Sequence, residues 1–160
     1  MLEMKVRGLT LDPLTNMALV ILRDLEGTKA LPIWVGIPEA NAIALEMEQV
    51  PTPRPMTHDL IKNFLDGVNA TVTRIVVNDL KDATFYATIY LSLNGREIQI
   101  DSRPSDAIAV ALRVKAPIYV VLDVIERAGS VDTAGQSASE DPDTLKEWLE
   151  NIKPEDFGKL

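Results

Sequence analysis

"ATFYATIYLSLNGREIQIDSRPSDAIAVALRVK", Ala83 to Lys115, changes period once, and that change decides the fold class. Up to Asp101 the residues are β-branched and aromatic, interrupted at Asn94-Gly95, the strongest short hairpin signal in the chain. From Pro104 the apolar residues recur at helical spacing, with proline suited to the first helical position and Asp106 to the first turn. A hairpin that runs into a helix fits a mixed α+β fold better than a parallel strand-helix-strand repeat.

Working upstream, "ATVTRIVVNDL" from Ala70 reads as a strand preceding that hairpin, completing a three-strand meander. Before it, "THDLIKNFL" has Thr57 as a helix N-cap, His58 and Asp59 in the first turn, and Leu60, Ile61, Phe64, Leu65 and Val68 as the apolar stripe. "VPTPRPM" cannot be helical, because each residue before a proline is pushed toward extended backbone. Pro38 opens another helix, "PEANAIALEMEQV", and the first third, "LEMKVRGLTL", "MALVILRD" and "KALPIWVG", gives a first meander. Downstream, "APIYVVL" reads as one more strand. The expectation is a largely antiparallel mixed sheet from two strand meanders with helices packed on it. Ala107, Ala109 and Ala111 read as close helix-sheet packing, and Trp34, Phe85 and Tyr86 as core aromatics.

One domain is expected over residues 1–128, a flexible acidic linker over 129–142, and a short amphipathic helix and tail over 143–160. In the last, Leu145, Trp148, Leu149 and Ile152 fall along one side of "DTLKEWLENI", a helix too short to be stable alone in water. The 160 residues contain no cysteine, which excludes a thiolate nucleophile, a zinc-thiolate site and a disulfide framework. No long apolar run or signal peptide is visible, so a cytoplasmic protein without a membrane segment is expected. The net charge of −8 repels polyanions on average, so a phosphate substrate needs local arginines or divalent cations.

Three places combine charge, proline and a helix start: "GIPEA" around Glu39, "RPMTHD" from Arg54 to Asp59, and "DSRPSDA" from Asp101 to Ala107. Each helix N-terminus offers unpaired N–H groups, and Arg54 and Arg103 offer forked donors that match phosphate oxygens. Glu39, Asp59, Asp101 and Asp106 are oxygen ligands suited to Mg²⁺ or Mn²⁺. His58, the sole histidine, is of a side-chain type that titrates near pH 6.5 and can take or give a proton. The same residues also read as helix punctuation, or as buried Arg-carboxylate clamps such as Arg103 to Asp59. No serine triad spacing or glycine-rich phosphate loop is present.

At these residues, over Met1 to Ile125, the chain resembles the bifunctional nuclease family, small domains of bacteria and plants to which both DNase and RNase activity are ascribed. The resemblance is carried by "LPIWVGIPEANAIALEME", "PRPMTHDLIKNFL", "FYATIYL" and "IDSRPSDAIAVALRVKAPIYV", with Val110 where the family often has leucine. It implies an α+β fold, a tendency to form homo-oligomers, trimers among them, and a site of Glu39, Arg54, Thr57, His58, Asp59, Asp101, Arg103, Ser105 and Asp106. The combined expectation is a metal-assisted nuclease acting on DNA or RNA. His58, Asp59 and Asp106 do the chemistry, Arg54, Arg103, Thr57 and Ser105 bind substrate, and Glu39, Asp59, Asp101 and Asp106 hold the metal. The alternative is a non-catalytic oligomeric scaffold or regulatory module.

Overall fold

The computed structural model describes residues 1–129 and 131–132. Strands β1 (Leu2–Asp12), β2 (Met17–Asp24) and β3 (Lys29–Gly36) precede helices α1 (Ile37–Met47) and α2 (Thr57–Gly67). Strands β4 (Thr71–Lys81), β5 (Thr84–Leu93) and β6 (Arg96–Ser102) follow, then α3 (Pro104–Val114), β7 (Ile118–Val120), α4 (Leu122–Arg127) and β8 (Val131–Asp132). The two expected meanders are present, and the fold is α+β. The helix α4 went unread in "DVIERAG", which is too short for a helical period to show. The expected C-terminal helix, and all of the expected linker except its first residues, lie outside the described residues.

All the strands join one sheet in the order β6-β5-β4-β7-β1-β2-β3-β8. Strand β7 holds it together: it runs antiparallel to β1, pairing Met4 with Ile118, and parallel to β4, pairing Ile75 with Ile118. Three residues thus fuse two antiparallel meanders into a mixed sheet. Both the Asn94-Gly95 and the Asp82-Ala83 turns place two successive residues at positive φ, the backbone that matches the strand twist of a tight hairpin. Ala83 at φ 60 gave no sequence signal, since glycine or asparagine usually sits there.

Helix α3 lies at the centre of the helical layer, packing on β4, β5, α1 and α2. Ala107, Ile108, Ala109, Val110 and Ala111 are all at most 1% exposed, as expected of a helix surrounded on nearly every side. The alanines let neighbouring backbones come close, while Met4, Ile75, Val77 and Val120 form the sheet floor beneath the layer. Two expectations fail in detail. Met56, not Thr57, is the N-cap of α2, and the Asp59 carboxylate accepts its backbone N–H at 2.8 Å. Trp34 and Tyr86 are 53% and 41% exposed rather than core, because strand alternation turns them away from the buried positions beside them.

Candidate functional site

The first turns of α1, α2 and α3 meet, and the meeting is made of charges. His58 Nε2 lies 2.9 Å from Asp106 Oδ1. The other Asp106 oxygen, Oδ2, accepts from Arg103 Nε at 2.8 Å, and Arg103 Nη2 pairs with Glu39 Oε1 at 2.8 Å. Thus one residue of α2, one of α3, the N-cap of α3 and one of α1 form a continuous chain, His58–Asp106–Arg103–Glu39. Local sequence makes each step possible. Pro104 fixes the backbone at the start of α3, holding Arg103 extended so that its side chain can turn back to Asp106 three residues on. Pro38 sits one residue later, inside the first turn of α1, whose N-cap is the extended Gly36. The Glu39 carboxylate lies so close over Gly36 that a Cβ there would be 2.6 Å from Oε2, so the glycine serves close approach rather than an unusual φ.

Burial is uneven along the chain, deepest at His58 and least at Arg103. His58 is 7% exposed, while the side chains of Glu39, Asp106 and Arg103 are 17%, 28% and 66% exposed. Burial pushes the Asp106 carboxyl up, but the hydrogen bonds from His58 and Arg103 outweigh it and hold the group below the usual carboxylate range. The Arg103 guanidinium is held above its ordinary value by Asp106 first and Glu39 second. An ionised carboxylate only accepts, so the proton of neutral His58 belongs on Nε2 and its free lone pair on Nδ1. Nδ1 makes no hydrogen bond among the described residues.

Next to this chain is a second joint that the sequence did not reveal. Arg113, its side chain only 4% exposed, donates from Nε to Asp59 Oδ1 at 2.6 Å, and from Nη1 to the carbonyls of Ala42 and Ala109 at 3.0 and 2.9 Å. Burial raises the Asp59 carboxyl, and the Met56 N–H and Arg113 outweigh that and lower it. The expected clamp between Arg103 and Asp59 is therefore two clamps with other partners. Arg113 was missed because a basic residue in the last turn of a helix reads as a dipole complement. Asn41 was missed as well. It is 6% exposed on α1, and its Oδ1 is buried with no hydrogen-bond partner among the described residues.

The remaining expected residues lie apart from the chain of charges. Asp101 is exposed and sits on β6 opposite Thr88, one position out of phase with Ser102 opposite the fully buried Ala87, so alternation points it to the other face of the sheet. Arg54 is exposed and makes no ion pair among the described residues. Thr57 is exposed at the first turn of α2, and Ser105 is 7% exposed beside Asp106. Among the described residues no three His, Asp or Glu side chains converge as a ready-made cation site. Both Asp106 oxygens and both Asp59 oxygens already accept from imidazole, guanidinium or backbone donors, and Glu39 and Asp106 share one guanidinium. As arranged, the donor set does not fit a divalent cation, because Arg103 takes the place such an ion would need.

A charged junction of three helix starts on a mixed sheet defines a class, and sequence comparison gives it a name. The Bifunctional nuclease domain pattern matches residues 20–133, and the chain belongs to that family. It is 38% identical to an uncharacterized protein of Mycobacterium tuberculosis over 162 residues, covering 97% of both chains. It is 31% identical to Bifunctional nuclease 2 of Arabidopsis thaliana over 105 residues, 63% of this chain and 32% of the plant protein. Against Bifunctional nuclease 1 of Oryza sativa subsp. indica the identity is 27% over 112 residues, 68% of this chain and 34% of the other. No helix among the described residues is long and apolar enough to cross a membrane.

Proposed function

We propose that this chain cleaves phosphodiester bonds in DNA or RNA at the His58–Asp106–Arg103–Glu39 chain. The observation that supports it best is the meeting of three helix N-termini around the sole histidine, with the guanidinium between Asp106 and Glu39 open to solvent. The N-terminal ends of helices favour an anion, and a carboxylate on one imidazole nitrogen leaves the other as a base of defined direction. In this reading Asp106 holds His58 so that Nδ1 accepts a proton from an attacking water, whose oxygen bonds to phosphorus as the P–O bond to the leaving sugar oxygen breaks, and that oxygen takes up a proton from solvent. Arg103 turns its fork from Glu39 to the phosphate oxygens, a match of planar donors to anion. Arg54, unpaired among the described residues on the loop that leads into α2, supplies a second cation to the strand, and the exposed Thr57 sits one residue from His58 to contact it, whereas Ser105 is buried.

The test compares wild type with His58→Ala and Asp106→Asn on single-stranded DNA and on RNA, with Mg²⁺, with Mn²⁺ and with EDTA. Loss of the proton carrier should lower the rate by about 10²–10⁴-fold. Unchanged cleavage in both variants overturns the assignment. The EDTA arm decides the divalent cation expected from the sequence: cleavage that survives it needs only the protein's own cations.

A second reading has its own support, because each charged side chain in the His58–Asp106–Arg103–Glu39 chain already has an oppositely charged or hydrogen-bonding neighbour. There the family site is an architectural clamp in a homo-oligomer. Arg103→Ala would then lower the oligomer mass by light scattering, whereas a catalytic Arg103 leaves assembly intact and removes activity.

A further inference from the structure

The first turn of α2 belongs to the site, but its outward face does not. Ile61 and Leu65 pack on the core, whereas Leu60, Phe64 and Val68, each four residues from the next, are 50%, 67% and 57% exposed. Asn63 and Gly67 share that side and are also exposed, so the outward face carries no charge over two turns. A Cβ on Gly67 would meet nothing within 4 Å, which leaves room for another helix to come close. A surface helix ordinarily turns one apolar stripe inward and a polar face outward, and α2 presents two apolar stripes.

We propose that residues 143–152 of this same chain, "DTLKEWLENI", dock on that face. The period of Leu145, Trp148, Leu149 and Ile152 gives the segment a single apolar stripe. As a helix that stripe is about 10 Å long, against about 12 Å from Leu60 to Val68. A helix of this length does not hold alone in water, so burying that stripe is what would order it. The described chain ends at Asp132 on the sheet edge beside β3, and residues 133–142 fully extended span at most about 33–36 Å. That is about the diameter, roughly 36 Å, of a compact domain whose radius of gyration is roughly 14 Å, so the segment can reach a face that lies within one domain width of Asp132. The segment is acidic, with Asp141, Asp143, Glu147 and Glu150 against Lys146, and the one cation beside the face without an ion pair among the described residues is Arg54, just before α2, since Lys62 is paired with Asp66.

The chain has two tryptophans, so Trp34→Phe leaves Trp148 as the only reporter in the full-length protein. In that background Trp148 emission should be blue-shifted relative to the urea-unfolded chain, and acrylamide should quench it several-fold less. Adding Phe64→Glu or Leu60→Glu should remove both effects with unchanged far-UV circular dichroism, since both positions are at least half exposed. Trp148 as accessible in native as in unfolded protein, or equally protected after both substitutions, overturns the proposal. Protection that fades on dilution together with the mass by light scattering also overturns it, and assigns the face to a second copy.

Discussion

Asp106 accepts from two donors of different kinds, an imidazole and a guanidinium, and the pairing has a pH signature. Its folded carboxyl and that of Asp59 lie below their ordinary value of 3.8, so between the folded and unfolded values the unfolded chain binds more protons. The stability these groups contribute is complete above the unfolded value and is lost as pH falls through the folded one. Asp79 adds to the trend without touching the site: Lys81, Arg127 and the Leu80 N–H hold its half-buried carboxyl at about 2. Urea midpoints should therefore be flat above about pH 5 and fall below about pH 4. Asp106→Asn should start lower and fall less steeply; an identical slope would show that the pairing does not persist in solution. At this scale the sequence revealed which residues carry charge, and "RPMTHD" and "DSRPSDA" pointed to the right neighbourhood. It could not assign partners, because Arg103 to Asp106 is a local turn while Arg113 to Asp59 spans 54 residues.

Helix α2 is held by its first turn and by Ile61 and Leu65 rather than by a broad buried face. Its first turn is fixed by Asp59, and Asp59 by Arg113, which also reaches backbone carbonyls of α1 and α3. Removing the guanidinium leaves a partly buried carboxylate without its cation, so Arg113→Met should destabilise by on the order of 3 kcal/mol in urea unfolding. Lysine cannot reproduce a fork serving three acceptors, so Arg113→Lys should restore only part of that loss. Equal stability of all three proteins would refute the joint. Periodicity located the helix to within a residue of its true start and gave its apolar positions. It could not divide Leu60, Ile61, Phe64, Leu65 and Val68 into two that meet the core and three that do not, because a period fixes angles around an axis and not what lies outside it.

The sheet as a whole depends on its shortest central strand. β7 supplies one strand edge to β1 and the other to β4, and Ile118 and Val120 are buried between them. Proline at Tyr119 would delete a ladder donor in the interior of the sheet, so Tyr119→Pro should cost about 3 kcal/mol or more and unfold both meanders together. Two separate transitions, one per meander, would show instead that the halves stand independently. The two meanders were legible because each is local, with an alternating pattern and turn residues between strands. Their union was not, because "APIYVVL" reads as a strand whatever it pairs with, and pairing with residues 2–4 and 75–77 leaves no mark on the segment itself. Growth of the chain on a ribosome follows from this arrangement. Until residue 120 has emerged, the nascent protein holds two ribbons with bare inner edges and nothing to bridge them, so closure is a late, long-range event, and a translational pause just before that point would prolong the interval most exposed to mispairing.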